Sequence, residues 1–205
     1  MYVPALFRVP ERETVWALIE EIRLGCLVSA TAGLQATHIP FLVDRARGPN
    51  GTLVGHMARA NGQWRTLPRD GEVLVVFTGP NTYISPGWYG VAPRAPTWNF
   101  VTVQAHGHIR LIEDAVRLRD MVITLSNAME EPGSPWKAAE LDAAYLDRLL
   151  PGIVGFEIEL SRFEAQLRLS QQNDEAVRRR VLATLEGGSL RQRSVADAMR
   201  RLAPL

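Results

Sequence analysis

Trp98-Asn99-Phe100-Val101-Thr102-Val103-Gln104-Ala105-His106-Gly107-His108-Ile109-Arg110-Leu111-Ile112-Glu113 alternates with a period of two. Val101, Val103, Ala105, Ile109 and Leu111 face one way, and Thr102, Gln104, His106, His108 and Arg110 face the other. That is the pattern of a long strand with one buried face. Such a strand needs partners, and the flanking sequence supplies them. Gly152–Arg168 alternates again through Val154, Phe156, Ile158 and Leu160. Glu72–Thr78 is rich in β-branched residues and is expected to end at Gly79-Pro80. Thr52–Ala58 follows the turn signal Gly48-Pro49-Asn50-Gly51, and Cys26–Ala30 with Gln35–Val43 reads as a hairpin around Ala32-Gly33.

Helical periodicity separates and flanks these strands. Val15, Leu18, Ile19 and Ile22 predict a helix over residues 11–24, and Met121, Leu125 and Met129 predict one over Ala115–Met129. Shorter helices are expected at Ala138–Leu149, Asp174–Leu185 and Val195–Leu202. Asn81–Pro96 carries Gly, Pro, Tyr and Trp without a period and reads as a long ordered loop, a place where function often sits. Six or so strands without regular β-α-β alternation imply an α+β protein, an antiparallel barrel decorated with helices. The expected division is a barrel domain over 1–170 and a helical appendage over 171–205.

With 46% hydrophobic and 22% charged residues among 205, the chain can bury a real core. Cys26 is the only cysteine, which excludes an internal disulfide and fits a reducing compartment. The N-terminus lacks a basic segment followed by an apolar one, and no apolar run approaches a membrane span, so a cytoplasmic protein without a membrane partner is expected. Lys137 is the only lysine among 23 basic residues, and a net charge of +1 provides no strong nucleic-acid footprint.

The chemistry-bearing candidates are few. Gly-x-Ser-x-Gly, the P-loop and Gly-x-Gly-x-x-Gly are all missing, which disfavours the common hydrolase, nucleotide-triphosphate and dinucleotide designs. His106 and His108 share a strand face without an evident third ligand, so they read as strand surface and no metal is expected. His38 and His56, taken alone, read better as satisfied structural histidines than as ligands. What lifts His56 is the company downstream: Arg59, Asn61, Gln63 and Trp64 put a guanidinium, two amides and an indole within one turn of chain. Such a set suits a phosphate next to a flat ring. The tail arginines Arg178, Arg179, Arg180, Arg191, Arg193, Arg200 and Arg201 loosely suggest a helix-turn-helix. Packing stripes through Val177, Val181 and Leu185 and through Val195, Met199 and Leu202, with interspersed acids, favour ordinary solvated helices.

Three segments together resemble the PaiB-like family of FMN-binding-type proteins, described as negative transcriptional regulators. They are His56-Met57-Ala58-Arg59-Ala60-Asn61-Gly62-Gln63-Trp64, Gly79-Pro80-Asn81-Thr82-Tyr83-Ile84-Ser85-Pro86-Gly87-Trp88-Tyr89 and Pro96-Thr97-Trp98-Asn99-Phe100. Met1-Tyr2-Val3-Pro4, Ala36-Thr37-His38-Ile39-Pro40 and Gly152-Ile153-Val154-Gly155-Phe156-Glu157-Ile158 match as well. The resemblance implies a Greek-key-like split β-barrel with peripheral helices, a homodimer, and an FMN site at the subunit seam. By analogy the phosphate would meet Arg59 and Asn61, with His56, Gln63 and Trp64 beside them. Thr37 and His38 would face the ring or ribityl chain, and Tyr83, Ser85, Trp88, Trp98 and Asn99 would line the site or the dimer seam. The family's lysine-rich run into Ser-Gln-Asn is Gln166-Leu167-Arg168-Leu169-Ser170-Gln171-Gln172 here, a departure that weakens any expectation of DNA binding. A flavin-dependent oxidoreductase is the alternative function, and a haem-binding split barrel using His106 or His108 a more distant one; DNA or a regulatory protein is the partner expected besides the second copy.

Overall fold

The computed structural model describes residues 1–68 and 71–204. Seven strands form one antiparallel sheet: β1 (Leu24–Ser29), β2 (Gln35–Pro40), β3 (Leu42–Asp44), β4 (Thr52–Ala58), β5 (Glu72–Ile84), β6 (Thr97–Ile112) and β7 (Ile153–Arg168). Their order across the sheet is β2-β1-β5-β6-β7-β4-β3. The helices are α1 (Arg12–Ile22), α2 (Ala115–Met129), α3 (Ala143–Leu149), α4 (Glu175–Glu186) and α5 (Leu190–Leu202).

The chain forms two compact units, with β5, β6 and β7 contributing residues to each. One comprises Ile19–Phe77 and Ala105–Phe163. Its register is set by the buried faces: Leu27 opposes Thr37 and Val75, and Gly55 opposes Phe156. Phe41 meets Phe77 and Phe156 edge-on at centroid distances of 5.7 and 6.0 Å, in the preferred geometry of aromatic pairs. Gly107 and Gly155 are required by close approach. A Cβ at Gly107 would stand 2.3 Å from the Glu159 carbonyl oxygen, and one at Gly155 would stand 2.6 Å from Leu118. Through that gap α2 reaches the sheet, and Leu118 and Met121 join Ile112, Leu146 and Leu150 in a second apolar cluster.

The other unit comprises Met1–Leu18, Thr78–Gln104 and Glu164–Leu205. Val15, Ile84, Val103, Leu169, Val181, Leu185 and Val195 are fully buried in it. Asp174 caps α4 and a Ser189–Gln192 capping box starts α5, each satisfying orphan amides of the first turn. Ser170 sits at φ +68°, unusual for a side-chain residue, and its hydroxyl is held by Asn99 at 2.9 Å.

Several boundaries differ from those read in sequence. Strand β5 continues through Gly79-Pro80 to Ile84, because its pairing with β1 ends at Phe77 and a missing N–H at Pro80 costs no bond to that strand. The expected Ala138–Leu149 helix is a 3-10 turn followed by α3, which starts where Asp142 accepts from the Tyr145 amide. Helix α5 begins at Leu190, five residues ahead of the apolar stripe, since the capping box decides where a helix can start. Cys26, on β1, is half-buried.

Candidate functional site

Strand β4 leaves the sheet at Ala58, and the Arg59 amide donates to the Gly152 carbonyl at 2.8 Å. A 3-10 turn over Gly62–Thr66 follows at once, capped by Asn61, whose Oδ1 accepts from the Gln63 amide at 2.9 Å. The Asn61 side-chain amide then donates to Thr37 Oγ1 at 2.9 Å, and the Thr37 hydroxyl donates to Gln63 Oε1 at 2.5 Å. Gln63 is 2% exposed, and its Nε2 donates to Ser29 Oγ at 3.1 Å and the Leu27 carbonyl at 3.2 Å. Gln35 adds a bond from Nε2 to Thr66 Oγ1 at 2.8 Å. A polar lattice of this kind, part-buried and centred on the buried Gln63 amide, holds the loop in one conformation.

On the outside of that lattice stand the groups able to meet a ligand. The Arg59 and Arg65 guanidinium carbons lie 5.5 and 4.7 Å from the Trp64 ring centroid. The Trp64 indole N–H donates to the Arg59 carbonyl at 2.9 Å, which fixes the ring. Arg59 is itself a clamp: its Nε donates to the Pro151 carbonyl at 2.8 Å and one terminal nitrogen donates to the Ile153 carbonyl at 2.9 Å. A depression of about 600 Å³ beside the turn is lined by Trp64, Arg65, Leu67, Pro68, Ile109, Arg110, Leu111 and Glu113. His56 is half-buried on β4; burial lowers its pKa below the ordinary 6.5, so the ring is neutral at pH 7, and its buried Nδ1 has no hydrogen-bond partner. His38 is exposed on β2, opposite Cys26.

The remaining candidates belong to the other unit. Tyr83 and Trp98 form an exposed edge-to-face pair with ring centroids 6.4 Å apart. The Ser85 hydroxyl caps the 3-10 turn Pro86–Trp88, accepting from the Gly87 amide at 3.3 Å, and Trp88 is half-buried in that turn. Asn99 is wholly buried and its amide is engaged by Ser170 and the Met199 sulfur, so it holds the interior together. Thus Thr37, Asn61 and Gln63 are brought together, Arg59 and Trp64 stand on them, and Tyr83 with Trp98 makes a separate aromatic pair.

Residues 1–162 match the family described as "Putative FMN-binding domain". The chain belongs to this FMN-binding family. It is 32% identical over 187 residues to the protease synthase and sporulation protein PAI 2 of Bacillus subtilis, covering 91% of this chain and 89% of that one. Among solved structures, the FAD and haem binding protein of Mycobacterium smegmatis superposes with a TM-score of 0.62 at 19% identity, covering 89% of this chain and 80% of that chain. The flavocytochrome Anf3 of Azotobacter vinelandii does so with a TM-score of 0.60 at 13% identity, covering 83% and 74%. The protein is therefore an FMN-binding-type split barrel of the PaiB-like kind, and α+β in class.

The side chains present fit the cofactor of the FMN-binding family. Two guanidiniums over one indole offer charge for a phosphate beside a flat apolar surface, and the partnerless Nδ1 of His56 is a buried acceptor or donor awaiting a polar group. Sequence reading missed Arg65 and Arg110. Arg65 directly follows Trp64 and Arg110 lies on the polar side of the β6 alternation, but only the fold places both at one depression. Among the described residues no group of three His, Cys, Asp or Glu side chains is arranged to hold a metal, and no helix is long and apolar enough to cross a membrane.

Proposed function

We propose that this chain is a cytoplasmic, homodimeric regulator of the PaiB type that binds FMN at the Arg59–Arg65 turn. The observation that carries the reading is the Thr37–Asn61–Gln63 lattice, which rigidifies a loop whose outer surface presents Arg59, Trp64 and Arg65. Preorganised donors cost little entropy on binding, so a loop of this build suits a phosphorylated ligand. Arg65 and Arg110 would take the phosphate, while Thr37, Asn61 and Gln63 keep the turn in shape. Bound FMN would supply redox chemistry at its ring system. Dimerisation is supported by the outward face around β1, where Leu24 is exposed and Cys26, Val28, Leu74 and Val76 are only half-buried.

The tail argues for regulation through a ligand or protein partner more than through DNA. Arg179, Arg200 and Arg201 pair with Glu175, Glu186 and Asp197, while Arg178, Arg180 and Arg193 donate to backbone carbonyls. Cations so engaged release few counterions on DNA. The test is a visible absorption spectrum after incubation with FMN and desalting, combined with sedimentation. Flavin bands on a dimer are expected; a monomer that retains no flavin overturns the proposal.

A further inference from the structure

A cleft between β3 and α2 plays no part in the flavin reading, and the register of the sheet builds it. Leu42, Val54 and Glu157 stand directly opposite one another on β3, β4 and β7, so their side chains form one row on a single face. Gly155, two residues before Glu157, lies on the same face, and Leu118 and Met121 of α2 fill the space over it. Beside that contact a cleft of about 400 Å³ opens between α2 and β3, the last strand of the sheet. Leu42, Val54, Ile112 and Met121 give it apolar walls. All of its lining belongs to the unit of Ile19–Phe77 and Ala105–Phe163, and none of it is shared with the depression at Trp64 and Arg65.

The rim carries both signs of charge. The Glu157 side chain is only 13% exposed, and its Oε2 accepts from one terminal nitrogen of Arg47 at 2.8 Å and one of Arg117 at 3.0 Å. Each guanidinium meets that oxygen through a single nitrogen, so the rest of each fork is open to a second acceptor. Local structure places both arginines. The Thr52 hydroxyl donates to the Arg47 carbonyl at 3.0 Å, and Asp114 caps α2 by accepting from the Arg117 amide at 2.7 Å. Asp44 lies 3.9 Å from Arg47 Nε, and Asp120, one turn along α2 from Arg117, forms no ion pair among the described residues.

We propose that this cleft binds a free α-amino acid with a bulky apolar side chain. Two guanidiniums beside three carboxylates disfavour a simple organic anion, and a simple amine would meet the guanidiniums; a zwitterion answers both signs. Arg117 and Asp120, three apart on one helix, stand side by side, as do the carboxylate and ammonium that share one carbon of an α-amino acid. The ligand carboxylate takes the open forks of Arg47 and Arg117, the ammonium lies against Asp120, and the side chain covers the apolar walls. Mostly apolar clefts of roughly 300–1,000 Å³ with a few placed polar groups are the usual form of a small-molecule site. Because Glu157 already orients both arginines, they lose little rotamer freedom when the ligand arrives.

The site does not depend on the flavin proposal. Its test is calorimetric titration of wild type, R117Q and D120N with L-phenylalanine, with phenethylamine, which lacks the carboxylate, and with hydrocinnamate, which lacks the ammonium. One phenylalanine per chain is expected, bound about tenfold or more tighter than either analogue. R117Q should weaken phenylalanine by about tenfold and leave phenethylamine no weaker, while D120N should weaken phenylalanine similarly and leave hydrocinnamate no weaker. Both substitutions change exposed side chains, and D120N breaks no ion pair, so it keeps the test decisive should R117Q disturb the fold. No saturable phenylalanine binding by the wild type overturns the inference, as does an analogue that binds as tightly as phenylalanine or an affinity unchanged in D120N. Phenylalanine displaced by FMN also overturns it, because the cleft would then be the flavin's own seat.

Discussion

Arg59→Ala tests whether the guanidinium expected to meet a phosphate also holds the fold. The side chain donates to the Pro151 and Ile153 carbonyls at 2.8 and 2.9 Å, and its backbone amide, which the substitution keeps, donates to Gly152. A hydrogen bond from a charged donor contributes roughly 1.5–3 kcal/mol when shielded. Arg59 is exposed, so water replaces part of each bond and about 1 kcal/mol apiece is a fair expectation. The contact with Trp64 adds about 0.5 kcal/mol. A loss of about 2–2.5 kcal/mol corresponds to a fall in Tm of roughly 4–10 °C for a domain of this size. Arg59→Lys should recover part of this, because an ammonium keeps the charge but cannot fork to both carbonyls. The assay is thermal and urea unfolding of flavin-free wild type, R59A and R59K, followed by FMN and riboflavin titrations. An R59A protein as stable as wild type, with FMN affinity selectively lost, would refute the clamp and return Arg59 to the phosphate alone.

Other consequences are equally direct. Gln63→Leu should cost about 2–4 kcal/mol by urea unfolding, since it removes the buried amide on which the lattice centres, leaving Ser29 without its side-chain donor and Thr37 with only the bond from Asn61. Gly107→Ala should abolish soluble expression or cost roughly 3 kcal/mol or more, because its methyl would meet the Glu159 backbone oxygen, which no rotamer change can relieve. Burial depresses the folded-state pKa of His56 below 6.5, so its contribution to stability is present above about pH 6.5 and is lost as pH falls from there through the folded pKa. Unfolding free energies between pH 8 and pH 5 should therefore decline more for wild type than for His56→Gln. Binding to duplex DNA, if detected in gel retardation, should be weak and gone by about 0.2 M salt; tight binding that persists would show that the arginines of α4 and α5 exchange their partners for phosphates.

Periodicity alone determined most of the fold. Strand β4 begins and ends at Thr52 and Ala58, as its alternation and preceding turn require, and α2 spans Ala115–Met129 as its apolar stripe does. Local patterns are legible because one face of a strand or helix must be buried wherever the element ends up. The run through Pro80 was not legible, since whether a proline breaks a strand depends on which neighbour needs its missing donor, and that is a property of the sheet. The site divides the same way. His56 through Trp64 could be picked out as a chemistry-bearing stretch, but which side chains face the ligand and which face the lattice was decided in three dimensions. Gln63 turns inward to Ser29 and Leu27, Asn99 inward to Ser170, and Arg59 back to the Pro151 and Ile153 carbonyls. Arg65 and Arg110, far apart in the chain, line one depression. Sequence specifies which donors exist, while only the tertiary structure assigns each donor an acceptor, because that assignment depends on distances between residues remote along the chain.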